Sequence, residues 1–202
     1  MKKRLVASVV LLAALTITVS LLLASLNAQT VMPVQANGSP DPSNAFLKID
    51  GVDGESTDAN HTGWIDILSY NWQVSHTAAA GASFGFPRVD DFCFDMKANK
   101  ASPKLLLACA NGKVFKFAIL AVAGVVSSDG QVQDFLNYTF NNVVISSYQT
   151  GLSQGGGDAF PVDHFCIAFG SVTIDYIKYS SEPGVGIQHY TVTWDLRTNK
   201  GT

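Results

Sequence analysis

The chain has 202 residues, and its 13 Lys and Arg against 16 Asp and Glu give a formal net charge of −3 at pH 7. Without the three basic residues at the N-terminus the balance is 10 against 16, or −6. No basic run remains, which argues against nucleic acid or an anionic membrane as a partner. Hydrophobic residues make up 47% of the chain, enough to bury a sizeable core.

Residues 1–28 have the layout of a secretory signal peptide or membrane anchor. Lys2-Lys3-Arg4 precedes twenty-two uncharged residues, Leu5 to Leu26, and Leu26-Asn27-Ala28 and Val34-Gln35-Ala36 are candidate cleavage ends. The apolar run could span a bilayer, so membrane contact is expected only if the segment is not cleaved. Residues 29–44, which end in QANGSPDPSN, predict a flexible linker. The folded domain is therefore expected over residues 45–202.

Period-two patterning predicts strands along nearly all of that domain. The predicted strands, with the side chains expected to share a face in parentheses, are Ala45–Ile49, Trp64–Ser75 (Trp64, Leu68, Tyr70, Trp72, Val74), Asp91–Lys97 (Phe92, Phe94, Met96), Val114–Ala123 (Phe115, Phe117, Ile119, Ala121), Gln131–Ile145, His164–Tyr179 and Ile187–Arg197 (Tyr190, Val192, Trp194, Leu196). Asn141-Asn142 suggests a bulge or a break, and Asp129-Gly130 a tight hairpin.

One segment has the signals of a helix. Ser102 suits an N-cap, Pro103 suits the first helical position, and Gly112 suits the end, so a helix is expected within Pro103–Ala110. The whole pattern predicts a mainly β fold: an antiparallel β-barrel or sandwich of about seven to nine strands with one short α-helix.

No catalytic or metal-binding constellation is recognisable in the sequence. The acidic stretch DGVDGESTDANHTGW, residues 50–64, lacks the ligand spacing of an EF-hand and is interpreted as a connector. His164 and Cys166 would share one face of a strand, but zinc would need two more ligands, so a structural role in the core is expected. The two Gly-rich loops, Ala78–Pro87 and Gly151–Asp158, lack the Lys of a phosphate-binding loop, and the histidines have no evident partners. The sequence thus predicts no enzyme activity, cofactor or metal.

The remaining polar and sulfur-containing residues are interpreted structurally. Cys93, Cys109 and Cys166 are widely spaced and odd in number, so buried thiols are expected rather than a disulfide framework. Asp163 and the Asp90-Asp91 pair are interpreted as charges at sheet edges.

The stretch KIDGVDGESTDANHTGWIDILSYNWQVS, Lys48 to Ser75, closely resembles the Hcp (haemolysin-coregulated protein) family, which builds the tube of bacterial type VI secretion systems. The residues that fill the family's K-I-x-G-x-x-G-E-S-x-D-x-x-H…I-D-V-L-x-x-x-W signature are Lys48, Ile49, Gly51, Gly54, Glu55, Ser56, Asp58, His61, Ile65, Asp66, Leu68 and Trp72. Further matches are KASPKLLLACANGK (Lys100–Lys113) to the family's helix, Asn142–Gly157 to its strand and Ser/Gly loop, Val172–Tyr176 to V-x-x-D-Y and Trp194–Arg197 to W-x-x-R. The resemblance therefore covers nearly all of residues 45–202.

This resemblance implies a barrel that closes into hexameric rings and needs no catalytic residue. The rings would stack into a tube that a contracting sheath drives out of the cell, with a spike protein at its tip and small effector proteins in its lumen. The Gly-rich loop Ala78–Pro87 lies where the family's extended loop reaches the adjoining ring. Phe84, Gly85, Phe86 and Pro87 are therefore candidate self-assembly residues, unless the phenylalanines fold back onto their own core.

The signal-like N-terminus departs from the family, whose tube subunits assemble in the cytoplasm. One interpretation is a secreted tube subunit whose translation starts at Met32 or a nearby codon. Another is an exported Hcp-like barrel that forms rings or binds a partner in the periplasm or outside the cell. A third is an exported enzyme or carbohydrate-binding module, which would need convergent polar residues in a cleft, and none can be named from the sequence.

Overall fold

The computed structural model describes residues 44–76, 87–125, 132–152, 160–180 and 186–202. The predicted signal or anchor segment, the Asp129-Gly130 turn, and Phe84, Gly85 and Phe86 lie outside these residues. The described ranges belong to one compact unit, Pro40–Thr202. Within them no helix has the length and apolar character needed to cross a membrane.

Twelve antiparallel strands and one helix form the described part of the chain. The strands are β1 (Ala45–Ile49), β2 (Ile65–Ile67), β3 (Ser69–Asn71), β4 (Val74–Ser75), β5 (Arg88–Val89), β6 (Phe92–Lys97), β7 (Val114–Val125), β8 (Val132–Leu152), β9 (Pro161–Ala168), β10 (Ser171–Lys178), β11 (Gln188–Asp195) and β12 (Lys200–Gly201). The helix α1 spans Ser102–Asn111. The predicted mainly β class with one short helix is confirmed. The strand count is higher than predicted because Trp64–Ser75 divides into three strands and His164–Tyr179 into two, and because the short strands β5 and β12 were not predicted.

Strand β8 pairs with three other strands. One of its edges pairs with β7; the other pairs with β10 along Leu136–Asn141 and then with β9 along Val144–Leu152. The change of partner falls at Asn142, which has a φ of 53°, a conformation that Asn tolerates better than most residues. The interruption suggested by Asn141-Asn142 is thus a left-handed residue within a continuous strand.

The strands close on themselves around the core. From β7 the order continues through β1 to β2, and the Leu68 N–H donates to the Asp95 carbonyl of β6 at 2.8 Å. Strand β6 pairs with β9, which returns to β8, while β10, β11 and β12 extend outside this circuit. The largest fully buried side chains are Phe92, Phe94, Phe140, Phe165, Leu47, Ile49, Ile65, Ile67, Met96, Leu105, Leu120 and Ile145.

The inward face predicted for β6 is confirmed, but in two other segments the side chains that were predicted to share a face do not all do so. In Trp64–Ser75 a bend at Leu68 changes the register, so Ile65 and Ile67 are buried while Leu68 is 51% exposed. In β7 the core-facing residues change from odd to even numbers after Phe115, and Leu120 is buried instead of Ile119. This second shift lies opposite Asn142, whose left-handed backbone interrupts the regular pleat.

Helix α1 occurs where it was predicted, but its N-terminus differs from the expectation. Ala101 is the N-cap, and Gly112 ends the helix at a φ of 66°. Ser102 Oγ instead accepts a hydrogen bond from the Asn99 N–H at 3.0 Å and donates one to the Asp163 carboxylate at 2.5 Å. Asp163 is 1% exposed, so its interpretation as an edge charge was wrong. A carboxylate is favourable at this end of a helix.

The connector of residues 50–64 is fastened to the sheet by His61. The ring is 3% exposed and stacks on Phe46 of β1 at 4.2 Å between centroids. Its Nδ1 lies 2.7 Å from Asp58 Oδ1, and its Nε2 lies 3.3 Å from Asp134 Oδ2 on β8. The ring thus links the connector to acids on both of its sides. The expectation that the histidines lack partners was therefore wrong here.

The acidic side chains of the connector face different partners. Glu55 Oε1 accepts a hydrogen bond from the Lys100 N–H at 3.2 Å, and Asp53 lies 3.6 Å from Lys104 Nζ. At Gly54 an added Cβ would lie 2.1 Å from the Trp64 carbonyl oxygen, so this close approach requires glycine. These contacts fit the connector interpretation. That Asp53, Glu55 and Asp58 bind no metal stays a prediction, which titration calorimetry with Ca²⁺ and Mg²⁺ would check.

Replacing His61 by Phe should lower the free energy of unfolding by about 1–2 kcal/mol. Phe keeps an aromatic ring against Phe46 but removes the hydrogen-bonding contacts to Asp58 and Asp134, a loss in the lower part of the usual range because water reaches both acids. Urea denaturation at pH 7 measures the change. His189→Phe is the matched control, since His189 also pairs with a carboxylate, Asp175, at 2.8 Å but its side chain is 54% exposed. Equal losses in the two variants would contradict a special role for the buried ring.

Asp58 should make the fold sensitive to acid. Burial tends to raise the pKa of its carboxyl, but hydrogen bonds from His61 and from the Asn60 N–H outweigh this and hold the pKa below its usual 3.8. The carboxylate therefore stabilises the fold above about pH 4, and this contribution disappears as the pH falls through the folded-state pKa. Asp58→Asn should lose less stability than the parent chain between pH 5 and pH 3. An unchanged slope in Asp58→Asn would refute the linkage.

Candidate assembly surface

An apolar groove of about 440 Å³ opens at the base of the Gly-rich loop. Strands β4 and β5 pair with each other in a small separate sheet, and this two-stranded stem carries the loop. The residues that line the groove are Trp72, Val74, His76, Pro87, Val89, Val172, Ile174, Val192, Trp194 and Asn199. The stem supplies one wall, and the paired strands β10 and β11 supply the other.

The wall on β10 and β11 follows directly from strand register. Val172 is opposite Trp194, and Ile174 is opposite Val192, so four apolar side chains share one face. Val172 is 2% exposed, whereas Val192 is 51% exposed. The groove therefore has a buried floor and an exposed apolar rim.

Trp72 lines the groove and packs against the core. Its Nε1–H donates to the Asp90 carbonyl at 2.9 Å, and its ring stacks near Phe92 at 5.8 Å. Because the polar N–H is satisfied, the indole offers only apolar surface to the groove.

Of the predicted self-assembly residues, the structure describes only Pro87, which lines the groove. Phe84, Gly85 and Phe86 lie outside the described residues, so their role stays a prediction. Sequence reasoning placed Val192 and Trp194 on one face but did not connect that face with the loop. The groove forms because β4 and β5 lie next to β10 and β11, which are distant in sequence, and no local sequence pattern indicates that they are neighbours.

A second, more polar cleft of about 540 Å³ reaches a disulfide. Cys93 on β6 and Cys166 on β9 are directly opposite each other, and their sulfur atoms are bonded at 2.06 Å. The interpretation of all three cysteines as buried thiols was therefore wrong for this pair, while Cys109 is free and half-buried. The pairing escaped prediction because the two residues are 73 positions apart and become neighbours only when β6 pairs with β9.

His164 lies beside this disulfide. Its Nε2 is 3.7 Å from Cys166 Sγ, which confirms that the two residues share one face of β9. Its Nδ1 is 2.8 Å from Asp95 Oδ1, and its side chain is 42% exposed, so a role in the core was the wrong expectation. Burial tends to raise the pKa of Asp95, but hydrogen bonds from Ser69 and His164 lower it below its usual value.

The chain is similar in sequence and in structure to Hcp proteins and to another type VI secretion protein. Protein hcp1 of Pseudomonas aeruginosa is 30% identical over 158 residues, which are 76% of this chain and 95% of that protein. The crystal structure of Hcp1 from Salmonella typhimurium superposes with a TM-score of 0.64 at 29% identity, covering 80% of this chain and all of that one. A type VI secretion system effector from Yersinia pestis superposes with a TM-score of 0.56 at 29% identity, covering 75% and 98%.

The family match covers most of the described fold. Residues 46–176, from β1 into β10, match the family described as the type VI secretion system effector Hcp. They include the connector with His61, helix α1 and the bent strand β8. Together with the hcp1 relative, this match shows that the chain belongs to the Hcp family of type VI secretion system proteins.

Proposed function

We propose that this chain is a structural subunit of a secreted type VI tube, forming closed rings that stack and carry small effector proteins. Family membership supports the general role, and hexameric rings are inferred from the family. The work is mechanical, so it needs no catalytic step or cofactor. Its partners would be further copies of itself, a sheath, a spike protein and effectors.

The observation that carries this proposal is the apolar groove beside Pro87. Exposed apolar surface that is continuous and bordered by polar residues is typical of protein contacts. Beyond the groove, β10 and β11 also expose Tyr176 at 47% and Tyr190 at 56%. An exposed sheet face of this kind suits a heterologous contact, in which each subunit uses one surface to bind a different surface of the next.

We assign to the Gly-rich loop between β4 and β5 a contact between rings. Ten residues, 77–86, separate the described ends of the stem, so the loop can extend about 17 Å outward if half of it runs in each direction. Phe84 and Phe86 would bring large apolar side chains to that distance. We assign the loop to the adjoining ring, where a groove of another subunit offers matching apolar surface.

Replacing Phe84 and Phe86 together by Asp should weaken stacking and leave single rings intact. Burying one Phe contributes about 1.5–3 kcal/mol, so the loss of two should weaken each contact at least about 100-fold. Native mass spectrometry measures ring size, and electron microscopy measures the length of stacked tubes. Phe160→Asp is the control, because Phe160 is 49% exposed and does not line the groove.

Three outcomes would correct the proposal. A monomer at high micromolar concentration would reject ring formation. Rings that dissolve in the Phe84→Asp/Phe86→Asp variant would place the loop between neighbours within a ring. Val192→Asp tests the groove separately, since it should give the same stacking defect as the loop variant. A Val192→Asp protein that stacks normally would remove the groove from the contact.

A further inference from the structure

The Cys93–Cys166 disulfide lies in a cluster that has the donor set of a metal site. One ligand atom each from Cys93, His164 and Cys166 falls within 4.8 Å of the other two. It is the one such group of three or more metal-ligating side chains in the described ranges. We propose that the reduced protein binds Zn²⁺ through Cys93 Sγ, Cys166 Sγ and His164 Nε2, with water as the fourth ligand, and that the disulfide is the metal-free state of the same site.

The distances already approach those of a zinc site. Ligands at about 2.05 Å for imidazole nitrogen and 2.3 Å for thiolate lie about 3.6 Å apart in a tetrahedron. His164 Nε2 and Cys166 Sγ are 3.7 Å apart. Two thiolates on one tetrahedral zinc lie about 3.8 Å apart, so the two sulfur atoms must separate once the disulfide is reduced. Rotation of the Cys93 side chain suffices, because the two cysteines face each other across neighbouring strands.

Asp95 prepares the imidazole for this role. Because its carboxylate faces Nδ1 at 2.8 Å, the neutral ring holds its proton there and leaves the Nε2 lone pair on the side of the sulfur atoms. A carboxylate behind a metal-ligating His is the usual supporting arrangement in zinc proteins. Ser69 Oγ donates to the other Asp95 oxygen, which fixes the carboxylate in turn.

The sheet register builds this arrangement in two parallel rows. Ser69, Asp95 and His164 are opposite one another across β3, β6 and β9. The next row on the same face places Asn71, Cys93 and Cys166 opposite one another. One row therefore orients the imidazole, and the other supplies the sulfur atoms, with all ligands on rigid strands.

Solvent and cations can reach the site through the polar cleft. Asp90 and Asp91 line it together with both cysteines, and their negative charge raises the local concentration of cations.

The two thiols of the site form when a dithiol reductant reduces the disulfide. The reductant transfers two electrons and two protons to the disulfide and itself becomes a disulfide. Zn²⁺ then displaces one proton from each thiol. The proposal does not depend on ring formation.

The direct test titrates reduced and oxidised protein with Co²⁺ as a spectroscopic probe for zinc. The chain is reduced with a dithiol, separated from it without oxygen, and followed by the thiolate-to-cobalt absorption. We expect one ion per chain in the reduced protein and none in the oxidised protein. Asp95→Asn should raise the dissociation constant about 10- to 100-fold. Asp175→Asn is the matched control, since Asp175 holds His189 at the same 2.8 Å, and it should leave metal binding unchanged.

A second measurement needs no variant. Zn²⁺ should protect Cys93 and Cys166, but not Cys109, from alkylation in the reduced parent chain, as read by peptide mass spectrometry. Reduced protein that takes up no metal at one equivalent would overturn the proposal. So would binding that persists in Cys93→Ser/Cys166→Ser, or alkylation that zinc leaves unchanged at both positions.

Discussion

The architecture depends on one edge of β8, the edge opposite β7. This edge pairs first with β10 and then with β9. At the change of partner, the Gly170 N–H donates to the Asn141 carbonyl at 2.8 Å, and a Cβ on Gly170 would lie 3.3 Å from the Asn142 side chain. The short connection from β9 to β10 can therefore cross beside Asn142, which takes the left-handed conformation there. On one side β9 closes the barrel and carries His164; on the other, β10 carries a wall of the groove.

Local signals in the sequence were sufficient to predict the helix and the inward face of β6. Pro103 and Gly112 mark the ends of α1 by backbone geometry, and the alternation Phe92, Phe94, Met96 lies on one straight strand with 0% exposure at each residue. Where the backbone bends, the same period-two reasoning failed. A bend at Leu68 reverses which side chains face inward, and nothing in the alternation itself marks that bend.

The candidate surfaces were harder to predict because they are made by strand neighbours distant in sequence. The Gly-rich loop could be assigned by resemblance, but its groove joins Trp72 to Trp194 through two separate sheets. The disulfide likewise required the knowledge that β6 pairs with β9. His61 is an intermediate case: its place in the family signature was visible, whereas its second carboxylate, Asp134, lies on β8, 73 positions along the chain.

The stem of β4 and β5 connects these surfaces physically. Val89 lines both the groove and the polar cleft. The stem is fixed at its base because the Asp90 N–H donates to the Gln73 carbonyl at 3.0 Å, while the Asp90 carbonyl accepts from Trp72. These two bonds join the segment between β3 and β4 to the segment between β5 and β6, so the base of the stem is fixed where its two strands leave the barrel. The two ends of the loop therefore leave the barrel at a fixed place, which a repeated contact between identical subunits would require.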